Sequence, residues 1–130
     1  MAKRTKKVSK EVEGSKNVML FDPSNCACIV AVDDDGYLHQ DYKLNLRDKK
    51  QTKLDYSEIK MDINQEKFYL KDSMYSVNFL DWFIKILRAF HKRPKLSVED
   101  LDYVYYEKDF PCLIYYDRVG MILAPRIEND

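Results

Sequence analysis

Residues 75–91 read Tyr75-Ser76-Val77-Asn78-Phe79-Leu80-Asp81-Trp82-Phe83-Ile84-Lys85-Ile86-Leu87-Arg88-Ala89-Phe90-His91, and their spacing decides the fold class. Val77, Leu80, Phe83, Ile84 and Leu87 recur every three or four residues, the period of one helix face. Asn78, Asp81, Lys85, Arg88 and Lys92 recur with the same period and make a second, polar stripe. Trp82 falls between the stripes and is read as a partial core residue. Pro94 ends the helix, and Arg88, His91, Lys92 and Arg93 sit where the helix dipole favours positive charge.

Downstream, three strand-like runs follow: Asp102–Glu107, Cys112–Tyr116 and Met121–Ala124, separated by Lys108-Asp109 and by Asp117–Gly120. Such short intervals suit hairpins, so an antiparallel meander laid against the helix is predicted. Upstream, Ile59, Met61 and Ile63 alternate with Lys60, Asp62 and Asn64, the pattern of a half-buried strand, and Phe68–Leu70 continues as another. Arg47–Lys53 reads as a polar connector. Cys28–Val32, Asp34-Asp35-Gly36 and Tyr37–Leu46 read as strand, tight turn and strand, because glycine tolerates the positive φ of such turns. Val18–Phe21 is a short apolar run closed by Asp22-Pro23-Ser24. The predicted class is α+β: an antiparallel sheet with one main amphipathic helix.

At 130 residues the chain suits one domain. A composition 45% apolar and 34% charged, with three glycines and four prolines, is too hydrophobic for wholesale disorder. Residues 1–17 differ from the rest. Lys3, Arg4, Lys6, Lys7, Lys10 and Lys16 face only Glu11 and Glu13, leaving four net positive charges there and four net negative over residues 18–130. The expected organisation is a basic tail over 1–17 and a folded domain over 18–130. The tail is either a nucleic-acid arm or nuclear address, or a solubilising extension.

Neither a long apolar span nor an N-terminal apolar stretch of signal-peptide type occurs, which argues against membrane insertion and secretion. Cys26, Cys28 and Cys112 lack the further ligands of a zinc set and read as reduced, packed thiols. The expected setting is intracellular and reducing: cytoplasm or nucleoid, or nucleus in a eukaryote.

Convergent chemistry is sparse. There is no glycine-rich phosphate loop, no H-E-x-x-H and no G-x-S-x-G. His39 and His91 read as surface residues, and Asp33, Asp34 and Asp35 as a solvated turn rather than a cation cage. Tyr103, Tyr105, Tyr106, Tyr115 and Tyr116 could form a base-stacking platform. Nearby Glu99, Asp100, Asp102, Glu107 and Asp109 would repel a phosphate backbone, so sheet packing is favoured. No enzymatic activity, cofactor or metal is expected.

Asp109-Phe110-Pro111-Cys112-Leu113-Ile114-Tyr115-Tyr116, followed by Leu123-Ala124-Pro125-Arg126-Ile127-Glu128, resembles the C-terminus of the archaeal and eukaryotic PCNA family of DNA sliding clamps. In that family a D-x-P-L strand is followed by a short turn, then a strand ending in L-A-P-[KR]-I-E; this chain has Cys112 at the leucine. Residues 75–85 are similar to the family's last helix, Met61–Asn64 to the preceding strand, and Ile29–Gly36 to an earlier hairpin, so the likeness covers about residues 28–130. It implies a clamp-type domain, a helix whose basic face meets duplex DNA without reading sequence, and an outer pocket for partner peptides. Lys85 best matches a channel lysine of the family; Arg88 and Lys92 follow from helical phase. The pocket floor would use Pro111, Ile122, Leu123, Ala124 and Pro125.

The implied function is a processivity or scaffold subunit in DNA replication. The alternative is a clamp-derived, non-encircling subunit of a replication or transcription complex. The implied partners are double-stranded DNA, further clamp subunits or copies of the chain, and replication or transcription proteins, with no membrane. Family members carry two such domains, each opening on a strand and a helix, and aromatics where Met121-Ile122 stands here. A one-domain clamp would close its ring with more copies or another chain, and Tyr37–Leu46 is the edge expected to pair.

Overall fold

A computed structural model describes residues 27–38 and 46–126. In chain order the elements are β1 (Ala27–Ala31), β2 (Thr52–Leu54), β3 (Lys60–Asp62), β4 (Lys67–Leu70), β5 (Ser73–Ser76), α1 (Val77–His91), β6 (Asp102–Tyr105), β7 (Cys112–Tyr116) and β8 (Val119–Leu123). Single 3-10 turns lie at Leu46–Asp48, Tyr56–Glu58 and Val98–Asp100. Strands β1, β8, β7, β6 and β2, in that order, form a five-stranded antiparallel sheet; β3, β4 and β5 form a three-stranded one. The class is α+β, with antiparallel sheets and one main helix among the described residues.

Period-two alternation sorts the large sheet into two faces. Ala27, Met121, Leu123, Cys112, Ile114, Tyr103 and Leu54 point to one side and pack with Leu80, Phe83, Ile84 and Leu87 of the helix and Phe68, Leu70 and Tyr75 of the small sheet. Val30, Leu113, Tyr115 and Val104 point to the other side and pack with Val32, Leu38, Leu46 and Tyr106. Both faces are therefore buried, and burial stabilises each large side chain by roughly 1.5–3 kcal/mol. An antiparallel meander can leave one side to solvent; here apolar residues in both registers bury both.

Two glycines are fixed by contact. A Cβ on Gly120 would stand 2.8 Å from Val32 Cγ2 and 2.9 Å from Leu113 Cδ1. Gly36 has φ +85 and would push its Cβ to 2.5 Å from the Tyr115 hydroxyl. It closes the predicted Asp34-Asp35-Gly36 turn, where one Asp33 carboxylate oxygen accepts from the Asp35 and Tyr37 amides at 3.0 and 2.9 Å. Val32 and Leu38 form the bridge across that turn.

The helix and the three-strand meander lie where the spacing predicts, with shifted ends. Tyr75 and Ser76 belong to β5, not to the helix, because they pair with Phe68 and Lys67 across a hairpin. Strand β8 starts at Val119 rather than Met121: Asp117 and Arg118 alone make the turn, Asp117 taking φ 58. The predicted strand around Ile59–Ile63 is shorter, and Ile63 is 67% exposed because the chain leaves the sheet there for a four-residue turn to Lys67. The connector 47–53 contains the start of β2. Leu46 sits in a 3-10 turn, so no strand runs through to it. The basic tail 1–17, the run 18–21, His39, Cys26 and the rest of the predicted pairing edge lie outside the described residues.

Candidate nucleic-acid interface

The helix is set at both ends by its own sequence. Ser76, in extended conformation, accepts from the Asn78 amide through its hydroxyl at 3.3 Å, satisfying one of the first-turn donors. At the other end Lys92 takes φ 55, its amide bonds back to the Arg88 carbonyl, and the Arg93 amide reaches the same carbonyl at 3.0 Å. That is a left-handed helix stop, a conformation usually left to glycine or asparagine.

The burial of Leu80, Phe83, Ile84 and Leu87 points the 78–81–85–88–92 stripe away from the core. Lys85 and Lys92 are exposed on it. Arg88 is half-buried, and its Nε donates to the Leu96 carbonyl at 2.7 Å, pinning the loop that follows the helix. The three predicted cations thus share one helix face but differ in role. Lys85 and Lys92 are free to meet a phosphate backbone, whereas part of the Arg88 fork is committed to the fold.

Further positive charge extends from the helix end. Arg93 hydrogen-bonds the Tyr116 hydroxyl and lies 5.7 Å from that ring's centroid, and Lys95 is exposed two residues on. His91 is not the surface residue that its basic context suggests. It is wedged edge-on between Phe90 and Tyr116, each ring centroid 5.0 Å away. Its Nδ1 lies 3.9 Å from the Asp117 carboxylate, and its Nε2 is enclosed without a hydrogen-bond partner.

The tyrosines serve the sheet. Tyr103, Tyr106 and Tyr115 are buried, while Tyr105 and Tyr116 are half-buried, and the five divide between the two faces. Tyr75 and Tyr103 donate to the Phe110 and Val98 carbonyls, both at 2.7 Å. Burial pushes both phenols well above their ordinary value, and it pushes the Cys112 thiol up as well. Lysines stand over aromatic rings of the sheet and its connections: Lys49 lies 4.6 Å from the Phe110 centroid and Lys53 5.5 Å from that of Tyr115.

The five predicted pocket residues come together only in part. Cys112 pairs with Leu123, so Pro111, Ala124 and Pro125 lie at one end of the β7–β8 ladder and are half-buried. Leu123 is 1% exposed and fills the helix-side core, whereas Ile122 packs on the opposite face. Adjacent strand positions cannot floor the same concavity. Sequence reasoning places Arg126 in the Leu-Ala-Pro-Arg-Ile-Glu motif but gives it no role of its own. Its amide donates to the Met74 carbonyl at 2.7 Å, and its Nη1 to the Gln65 and Glu66 carbonyls at 3.2 Å each, so the Ala-Pro-Arg segment fastens the large sheet's last strand to the small sheet.

No family model matches the sequence, and neither a curated protein nor a solved structure matches it. Among the described residues no helix is long and apolar enough to cross a membrane.

Proposed function

We propose that the chain is a sliding-clamp-like processivity or scaffold subunit that contacts duplex DNA non-specifically through Lys85 and Lys92, with a lesser share from Arg88, and docks partner proteins elsewhere. The observation that carries this reading is an unbroken strand–helix–three-strand unit, β5-α1-β6-β7-β8, whose helix turns cations outward while its apolar side seals the sheet. Two or three such cation–phosphate contacts per chain make a weak, salt-sensitive interaction. A ring of several copies, or of this chain with another, would multiply them. The half-buried end formed by Pro111, Ala124 and Pro125 is the remaining part of the predicted partner pocket.

Duplex binding followed by fluorescence anisotropy across a salt series tests the contact. Lys85→Ala and Lys92→Ala should each lower the slope of log affinity against log salt by about one. An unchanged slope in the double variant removes the channel assignment. Light scattering tests assembly: a strict monomer with no partner would count heavily against a clamp.

A second reading is a clamp-derived subunit that no longer encircles DNA. It is favoured by the commitment of Arg88 to Leu96, which leaves the helix face with fewer free cations. A stoichiometric polymerase or transcription partner recovered with the chain would support it.

A further inference from the structure

Helix α1 is apolar over roughly two-thirds of its circumference, counted at 3.6 residues per turn. The sheet covers only part of that arc. Leu80, Phe83, Ile84 and Leu87 face the core, while Phe79, Trp82, Ile86 and Phe90 lie along the neighbouring flank, Phe79 and Trp82 also packing in part against that core. Phe79, Trp82 and Ile86 are half-buried and Phe90 is 67% exposed, while Ala89 beside it is also exposed. Phe79 and Trp82 meet edge to face at 6.2 Å, so the stripe is a preformed aromatic ledge.

The positions 79, 82, 86 and 89 follow the three–four repeat by which one helix seats another. No second α-helix lies among the described residues. Charge then selects the occupant. The solvent-side border of the ledge carries Lys85 and Lys92, both exposed, and the only acid on the neighbouring stripe is Asp81 near the helix start. A second copy packed parallel would set these lysines against the same lysines, and one packed antiparallel would still set Lys85, near the helix midpoint, against Lys85, like charge on like. A helix with glutamates or aspartates along the matching border would pair with them while its apolar stripe covers the ledge.

We propose that this flank of α1 is the docking site for an acidic amphipathic helix of a partner protein. The site shares Lys85 and Lys92 with the proposed DNA contact, so an acidic helix and a duplex would compete for them, whereas Phe90 carries no charge and its substitution reports on the helix alone.

Trp82 is the only tryptophan and lies within the ledge, so its emission reports occupancy directly. The full chain is titrated with a synthetic amphipathic helix bearing leucines at the three–four repeat and glutamates on one border, and with its lysine-bordered counterpart. The expected result is a saturable blue shift with the acidic peptide, at least tenfold weaker in Phe90→Ser and in Lys85→Glu/Lys92→Glu, each shown to be folded by circular dichroism. An equal response to both peptides, or none at millimolar concentration, overturns the proposal. So does a dimer in sedimentation velocity that Phe90→Ser abolishes, since a second copy would then hold the face.

Discussion

The Arg88 side chain turns over the end of its helix and donates from Nε to the Leu96 carbonyl at 2.7 Å. A guanidinium that looks from its helical phase like a ligand for phosphate is thus partly a fastener for residues 92–96. Removing it leaves that carbonyl, half-sheltered, without its charged donor. Arg88→Ala should lower stability by about 1–2 kcal/mol, whereas Lys85→Ala, exposed, should change it by no more than about 0.5 kcal/mol. Urea denaturation of the two variants separates these roles, and equal losses would show that the Arg88 bond contributes nothing.

Lys92 holds φ 55 at the helix stop. A left-handed conformation costs a side-chain-bearing residue more than it costs glycine, so Lys92→Gly should raise stability by roughly 0.5–1 kcal/mol. The same substitution deletes an exposed cation. A clamp function therefore predicts opposite signs: a higher denaturation midpoint and weaker duplex binding in one variant.

Gly120 lies within β8, with no room for a Cβ between Val32 and Leu113. Gly120→Ala should destabilise by about 1–3 kcal/mol through overpacking. Truncating Val32 to alanine in the same chain should recover part of that loss, and a double-variant cycle measures the coupling.

Tyr75 and Tyr103 are shielded from ionising in the folded chain, chiefly by desolvation, while the unfolded chain ionises near the ordinary 10.0. A proton therefore stays on the native phenol after the unfolded one has lost it. The stability this represents is intact below that pH and is lost as pH rises toward the higher native value, by about 1.4 kcal/mol per pH unit for each tyrosine. Urea midpoints measured from neutral pH to pH 11 should fall steeply above 10, and less steeply in Tyr103→Phe.

Much of this was legible in the sequence where the signal is local. The helix is written in Val77–Leu87 and the last three strands in runs bounded by turn residues. What was not legible depends on distant partners. Thr52 and Lys53 read as the end of a charged connector, and only pairing with Tyr103–Tyr105 makes Thr52–Leu54 a strand. Tyr75 and Ser76 carry helical as well as strand spacing, and the hairpin to Phe68 decides between them. The cationic stripe was readable from phase. The diversion of Arg88 was not, because it requires Leu96 to return to the helix end.

Arg126 is the fifth point of test. Its Nη1 bonds the Gln65 and Glu66 carbonyls, so Arg126→Ala, which keeps the backbone bond to Met74, should loosen the β3–β4 turn and speed amide exchange there, with a stability loss of about 1 kcal/mol. Exchange rates unchanged at residues 63–76 would show the fastening to be dispensable.

Strand β1, near the start of the described chain, has β8 as its hydrogen-bonded neighbour. Synthesis therefore releases β1 long before its partner exists, and the nascent chain must keep Ile29 and Val30 from wrong company until residue 119 has emerged from the ribosome. Contacts this far apart in sequence form late and slowly. Until then β1, the first strand among the described residues, stays without the neighbour it pairs with in the fold.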